Sequence, residues 1–406
     1  MNSISTIVIA TFALWKNGKR TPLNGMIEPL LSFFGKKADL IILIDCPHQT
    51  SDDIRPKIEY YKKGVIAKRA TPPFLFPPYF LLKPFTNMQT QPMFKVRDFF
   101  MTFFVLLNEK NKPDLFIGLE SIFTLAGIIL KKLGKVKTVV YYVSDYSPTR
   151  YNSKVFNAVY LWLDRVCATH ADYIWDVSKA MMTARIKHGL DKKKAAPAIH
   201  VPNALFPWQI RYKTVEKLEP YSLAFAGTIG PENGLDLAIE ALVIARKTLP
   251  SLKLHVFGGG PLANEEAIDR LIKRLKLERS VIFHGFIQDL HILSDKVSSC
   301  MVGLAPYTSL PWSVRWYADA TKMRLYFANG LPVITTPVPP LGKEALEKGC
   351  AMVVPDTKED IAKAIIEMFR HKKIYLKFRE NAIAFAKNNT WDNTYKTALS
   401  MMQRSN

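Results

Sequence analysis

Cysteine is scarce in this chain. There are four in 406 residues (Cys46, Cys167, Cys300, Cys350), with no CxxC pair and no histidine at zinc spacing. That argues against a disulfide framework and a structural metal, and for a reduced, intracellular, cytoplasmic protein. Long apolar runs are also missing, since no segment approaches the roughly 18 consecutive apolar residues of a spanning helix. The opening "MNSISTIVIATFALWKNGK" is apolar but has no preceding positive region, so it reads as a first core strand and not a signal peptide. Acidic residues are in deficit: 56 Lys+Arg against 35 Asp+Glu leave a net charge of +21. Residues 1–205 contribute 29 − 15 = +14 and the remainder 27 − 20 = +7, so the excess sits in the first half. A basic surface can serve nucleic acid, anionic lipid or a phosphorylated substrate. Cations and aromatics do not interleave on a recognisable RNA-binding sheet motif, so nucleic acid is not an expected partner.

What is present is ordinary globular composition, 48% hydrophobic and 22% charged, in a chain long enough for two cores. Strand-like apolar runs alternate with helical stretches, which predicts parallel sheets with crossover helices. In the first half the strands are "STIVIAT", "ADLIILID", "GVIAKRA", "DLFIGLE", "KTVVYYVSD" and "ADYIWDVS". The rhythm pauses near Pro202 at "HVPNALFPWQIRY", a linker, and restarts with "YSLAFAGTIG", "LKLHVFGGGP", "SVIFHGF", "MVGLAPY", "LPVITT" and "CAMVVPD". The expected architecture is α/β, two doubly wound Rossmann-like domains in tandem, residues 1–204 and 205–385.

One stretch breaks the pattern. Thr71 to Leu107 is rich in Pro, Phe and Met with scattered cations. Two readings stay open: an irregular excursion followed by a core helix, or a greasy, basic lip that dips into a bilayer surface.

In "DATKMRLYFANGLPVITT" a helix runs into a buried strand. Asp319 or Thr321 is the expected cap, and Gly330 ends the helix in the left-handed conformation. Lys322 is the anomaly, a cation in the first turn facing the positive end of the helix dipole. Either it reaches into water or something anionic sits there with it. Ligands of doubly wound sheets bind at the carboxyl ends of strands. In the second half those ends are rich in glycine, at Gly227 and Gly230, Gly258 to Gly260, and Gly285, where exposed N–H groups suit phosphate.

The order of these pieces resembles the nucleotide-binding half of GT-B glycosyltransferases, particularly the family-4 group of retaining enzymes. The matching segments are "FAGTIGPENGLDLAIEAL", "LKLHVFGGGP", "VIFHGFI", "GLAPY", "TKMRLYFANGLPVITT" and "EKGCAMVVPDTKEDIAKAI". The resemblance implies two domains facing an interdomain cleft, with the first binding the acceptor and the second the nucleotide sugar. It also implies that residues 386–406, around "TWDNTYKTALSMMQ", form a helix returning to the first domain. Family-4 enzymes usually carry an Arg and a Lys in the first glycine loop, where this chain has Thr228 and Asn233. They also carry two glutamates, at the positions of Tyr317 and Leu325 here; both are absent. A smaller set of GT-B enzymes resembles "PTKxxEY", and bacterial glucuronosyltransferases of the xanthan-assembly type share a comparable Met-Lys arrangement. "ATKMRLY" keeps Thr321, Lys322 and Tyr326 of that pattern and lacks the Glu.

The resemblance therefore implies a donor-nucleotide site of Gly227, Thr228, Gly258, Gly259, His284, Gly285, Phe286, Tyr307, Asp319, Thr321, Lys322 and Tyr326. Lys322 stands in for the missing cations on a nucleoside diphosphate. With Leu325 in place of a glutamate, sugar hydroxyls fall to Asp319 or Glu232. The base would rest near His284 to Phe286, although His284 also fits a packed strand residue. In the first half, Glu120 and Asp145 end predicted strands. An inverting reaction needs a base for the acceptor hydroxyl, with Asp145 the first choice and Glu120 the second; either also fits a helix N-cap. Lys16, Lys19 and Arg20 lie in the loop after the first strand. They suit the acceptor or phosphate side together with Arg150, or a solvated turn. Gly25 is similar to the glycine that opens the family's first helix.

The expected function is a glycosyltransferase moving a sugar from a UDP- or GDP-sugar to a lipid-linked or cell-surface glycan acceptor. It would act as a peripheral protein at the inner membrane face, with no cofactor and no metal. The alternatives are a catalytically inactive GT-B scaffold, which would explain the missing glutamates, and a sugar-nucleotide epimerase, which needs a further carboxylate set. Retention or inversion stays open.

Overall fold

β-Branched and aromatic runs build two sheets in the computed structural model, which describes residues 5–23, 25–78, 81 and 92–404. The chain divides into two compact units, 1–202 with 395–406, and 203–394.

The first unit holds β1 (Thr6–Lys16), β2 (Lys19–Pro22), β3 (Leu40–Pro47), β4 (Lys57–Lys62), β5 (Val65–Ala70), β6 (Leu115–Leu119), β7 (Thr138–Val143), β8 (Tyr173–Asp176) and β9 (Ala198–His200). Their order is β5-β4-β3-β1-β6-β7-β8-β9, with β2 paired to β1. The strands from β3 through β9 in that order run parallel, because each is reached by a crossover helix and both faces are covered. Two expectations need correction. The "loop" carrying Lys16, Lys19 and Arg20 is a β1–β2 hairpin turned at Asn17-Gly18, both at positive φ. "GVIAKRA" is not a parallel strand but β5, which closes an antiparallel edge hairpin with β4 through Lys63 and Gly64.

The second unit holds β10 (Ser222–Ala226), β11 (Lys253–Phe257), β12 (Val281–Gly285), β13 (Val302–Ala305), β14 (Val333–Thr335) and β15 (Ala351–Val353). Every neighbouring pair is parallel, in the order β12-β11-β10-β13-β14-β15. The order reverses between β10 and β13, and at such a reversal the following helices leave on opposite faces and open a crevice at the strand ends. Alternation along β10 shows both faces covered. Leu223 and Phe225 enter one core with the helices Leu235–Arg246 and Lys358–Arg370, while Ala224 and Ala226 enter the other with Thr321–Ala328.

The helix Trp391–Arg404 ends the described chain. From Tyr395 it belongs to the first unit: the Tyr395 ring packs against Phe33 and Trp175, and the Met402 carbonyl accepts from the Tyr173 hydroxyl at 2.9 Å. Of the Thr71–Leu107 stretch, residues 79–80 and 82–91 lie outside the described residues. In the rest, the helix Pro92–Leu107 carries Phe99, Phe100, Phe103 and Phe104 in a ladder, with Phe74 and Phe76 stacked edge-on over it.

Candidate functional site

The reversal point of the second sheet is built from glycines and one buried cation. Gly227 follows β10, Gly258 follows β11, and Gly285 ends β12, all at positive φ. Their backbones are tied in series: Gly227 N–H donates to the Phe257 carbonyl and Gly258 N–H to that of Gly285, each at 2.9 Å. A Cβ on Gly258 would lie 1.9 Å from the Gly227 carbonyl oxygen, so no other residue fits there.

Lys322 enters this crevice from the first turn of the helix Thr321–Ala328. It does not reach into water; the residue is 9% exposed. Its ammonium lies 4.4 Å from the Phe225 ring centroid and 4.5 Å from that of Tyr307, and donates to Asn233 Oδ1 at 3.2 Å. A Cβ on Gly227 would sit 3.5 Å from its Nζ. No ion pair between Lys322 and a carboxylate exists among the described residues. Burial, and then the nearby Arg315 charge, holds its pKa well below the usual lysine range. An amide thus stands where the resemblance implies a family lysine, and it grips the lysine supplied by another helix.

Sequence reasoning missed Arg315. It lies in the 3₁₀ turn Val314–Trp316, with its guanidinium 5.9 Å from the Tyr307 ring. Its buried Nε has no hydrogen-bond partner, the Glu232 carboxylate being 3.7 Å away. No period or motif marks a residue placed by an irregular turn, so "SVRWYAD" gave no signal.

Other expected donor residues fall differently. Neither Asp319 nor Thr321 caps the helix; Ala320 occupies that position, without a side-chain bond. The Asp319 carboxylate is instead held by Arg324 at 2.8 and 3.0 Å and by the Asn203 N–H at 2.8 Å, so it is already committed within the fold. Tyr326 is wholly buried, its hydroxyl accepting from Ala226 N–H (2.6 Å) and donating to the Leu304 carbonyl (3.0 Å). It ties β10 to β13 beneath the crevice and does not line it. Tyr307 is buried as the wall over Lys322. Thr228, Gly259 and Thr321 lie at the rim, and Phe286 projects into solvent, 79% exposed. His284 stacks on Phe257 at 4.5 Å and shares a 3.0 Å hydrogen bond with His255, which makes it largely a packed strand residue.

In the first unit, the end of β6 brings together residues the sequence singled out separately. Glu120 has φ 80° and ψ 162°, a conformation nearly restricted to glycine and costing about 1–3 kcal/mol. It is held by its carbonyl, which accepts from Thr124 N–H and Oγ1, and by its carboxylate, which receives Lys95 Nζ at 3.2 Å and Arg150 Nη2 at 3.4 Å. Burial pushes the Glu120 carboxyl up, but Lys95 and Arg150 outweigh it and leave its pKa below the ordinary value. Two cavities adjoin here. One, of about 250 Å³, is lined by Phe12, His48, Lys95, Arg97, Asp98, Glu120 and Arg150 among others. The other, of about 310 Å³, includes Lys95, Glu120, Asp145 and Arg150 in an otherwise largely apolar wall. Arg150 thus donates to the Glu120 carboxylate and to the Asp145 carbonyl (3.1 Å) beside one cavity, and Lys95 joins them unforeseen. Lys16 and Arg20 line neither cavity: Lys16 is exposed at the hairpin turn, and Arg20 is bound to the buried Glu59 at 2.8 Å. Gly25 precedes the helix Ile27–Phe34.

Among the described residues no group of three potential ligands is placed to hold a metal ion, and no helix is long and apolar enough to cross a membrane.

Residues 220–371 match the model of the family described as glycosyl transferases group 1. No curated protein sequence matches the chain. Among solved structures, it is similar to HepE of Anabaena crystallised with UDP, at 14% identity and TM-score 0.66 over 98% of this chain and 100% of that one. Sucrose-phosphate synthase of Thermosynechococcus elongatus gives 16% and 0.67 over 98% of each chain. An apo structure of OtsA gives 11% and 0.70 over 98% of this chain and 99% of that one. The resemblance read from motif order therefore stands: within the second unit residues 220–371 match the glycosyl transferases group 1 model, and the chain as a whole has the GT-B fold.

Proposed function

We propose that the protein moves a sugar from a nucleoside-diphosphate sugar to a hydroxyl of a lipid-linked or cell-surface glycan acceptor at a membrane face. The observation that carries this reading is Lys322, a buried amine with no carboxylate partner among the described residues, set where the strand order reverses and beside the glycine turns that close β10 and β11. A buried unpaired cation is costly unless a ligand supplies the missing charge. A diphosphate does so. As the bond from sugar C1 to phosphate oxygen breaks and the bond to the acceptor oxygen forms, negative charge grows on the leaving diphosphate. Lys322, Arg315 and the start of the helix Thr321–Ala328 then stabilise that charge. These groups take the place a divalent ion has in other transferases, so no metal is required. In an inverting course the acceptor proton passes to Asp145, with Glu120 the second choice; a retaining course has no obligatory base. HepE has been crystallised with UDP and with UDP and glucose, which makes UDP the first nucleotide to try.

The test is calorimetric titration of UDP into wild type and Lys322→Met, in buffer containing EDTA. Wild type binds, and the variant binds roughly 10- to 100-fold more weakly, the loss of one charge-assisted contact. Its Tm rises, because a polar amine whose burial is costly has been replaced by an apolar side chain of similar length. Unchanged UDP affinity with a lowered Tm would make Lys322 a structural residue and overturn the reading.

A further inference from the structure

We infer that a diphosphate enters the Lys322 crevice together with one proton, and that Asn233 is the positioning residue that couples the two. This rests on the donor-site reading above. Asn233 is 5% exposed and ends the 3₁₀ turn Pro231–Asn233. The turn is pinned on both sides. The Asn233 N–H donates to the Gly230 carbonyl at 3.0 Å, and a Cβ on the following Gly234 would lie 1.9 Å from the Pro306 carbonyl oxygen. The side-chain amide is therefore held in place, and its Oδ1 accepts from Lys322 Nζ at 3.2 Å. An amide oxygen accepts from a neutral amine as well as from an ammonium. A carboxylate at the same point would favour the ammonium strongly. Asn233 thus orients the lysine without fixing its charge.

The surrounding charges favour the neutral form. The turn Pro231–Asn233 also carries Glu232, whose carboxylate is 3.7 Å from Arg315. The turn Val314–Trp316 supplies Arg315 itself, a permanent cation over the same Tyr307 ring that covers Lys322. The chain leading into the helix Thr321–Ala328 supplies Asp319, held by Arg324 at 2.8 Å. β10 and the segment after β13 contribute only the Phe225 ring and the Tyr307 phenol, whose proton burial retains. Among these groups two guanidiniums face two carboxylates, a balance that holds only while Lys322 is neutral. Aromatic faces attract a cation, but by less than its removal from water costs. Burial and the Arg315 charge accordingly hold the Lys322 pKa well below the usual lysine range.

Two phosphates bring the negative charge that an ammonium needs. Lys322 then takes a proton from the buffer, and no bond of the nucleotide changes in this step. The complex holds a proton that the free protein lacks, so affinity falls as pH rises between the free and the bound pKa of Lys322. For one proton the fall is about 10-fold per pH unit. The terminal phosphate of UDP, with a pKa of about 6, is already ionised above pH 7.5 and adds nothing to that dependence.

Calorimetric titration of UDP into the full chain at pH 8.5, in Tris and in EPPS, reads the proton directly, because the two buffers differ in ionisation enthalpy. Wild type is expected to take up about one proton per UDP and to bind about 10-fold more tightly at pH 7.5 than at pH 8.5. Lys322→Met, at the higher concentrations its weaker binding requires, should take up none and lose that pH dependence. Asn233→Asp gives Lys322 a carboxylate; it should take up none and bind UDP at least 10-fold more weakly. Asn233→Ala removes the acceptor altogether; it should bind weakly as well, yet keep the uptake of about one proton. A merely structural role for Asn233 would move both of its variants alike. UDP binding by wild type without proton uptake overturns the inference and spares the donor site. Uptake that survives in Lys322→Met or Asn233→Asp, or that disappears in Asn233→Ala, also overturns it. Absence of UDP binding by wild type would strike the donor reading itself, and this inference with it.

Discussion

Asp45 lies wholly buried near the end of β3 and carries the most informative titration in the first unit. Its Oδ2 accepts from Trp15 Nε1 at 2.9 Å, while Oδ1 has no hydrogen-bond partner. Burial raises its pKa to about 7, outweighing the Trp15 bond and the Arg20 charge. The folded state therefore holds a proton that the unfolded chain releases near pH 4. Between pH 4 and 7 the unfolded state binds fewer protons, so stability falls as pH rises through that window and levels off above it. Asp45→Asn keeps the acceptor for Trp15 and removes the charge. It should be more stable than wild type at pH 8, by about 4 kcal/mol, with the gain gone at pH 4. Urea unfolding at the two pH values checks this; an equal difference at both would show that Asp45 does not titrate in that range. The sequence offered "LIILIDCP" as a strand ending in an acid, and nothing in it showed that the acid is sealed beneath Trp15. That depends on the pairing of β1 with β3, which brings Trp15 to it.

Helices and strands with strong periodicity were legible, and their ends were not. Gly330 closes the helix Thr321–Ala328 at φ 73° as its position implied, because a left-handed residue there has few alternatives to glycine. The cap at the other end was misread, since Asp319 has a stronger partner in Arg324 than in the helix N–H groups. β5 was assigned the wrong pairing, for its residues are almost all exposed and offer no apolar alternation to set it apart from a crossover strand. The Asn17-Gly18 pair is itself a hairpin signal, set among cations that suit a solvated turn equally well. The motif reading puts Tyr326 on the nucleotide, and in the structure its hydroxyl bonds β10 to β13. That distinction is measurable. Tyr326→Phe leaves the Ala226 N–H and the Leu304 carbonyl without their shared hydroxyl, at a cost of about 1–3 kcal/mol in urea unfolding. UDP affinity should stay within about 3-fold of wild type at a temperature where both are folded. A large affinity loss with no stability loss would return Tyr326 to the ligand.

At the scale of the whole chain, the net charge of +21 and the exposed aromatics combine into one expectation. Phe74 and Phe76 are 46% and 40% exposed above the phenylalanine ladder, and cations surround them in sequence. Basic residues near an anionic bilayer contribute about 1 kcal/mol each, and that attraction decays within a Debye length. Aromatic side chains add a term that salt does not screen, since it comes from apolar burial. The two terms separate in a sedimentation assay. Retention on phosphatidylglycerol vesicles should exceed that on phosphatidylcholine at least 10-fold in 0.1 M salt. It should fall steeply in 0.5 M salt but not vanish. Phe74→Ser with Phe76→Ser should remove the salt-resistant remainder and leave the salt-sensitive part in place, because no charge has changed. Equal retention on both lipids would mean that the positive charge is not used to hold an anionic membrane surface.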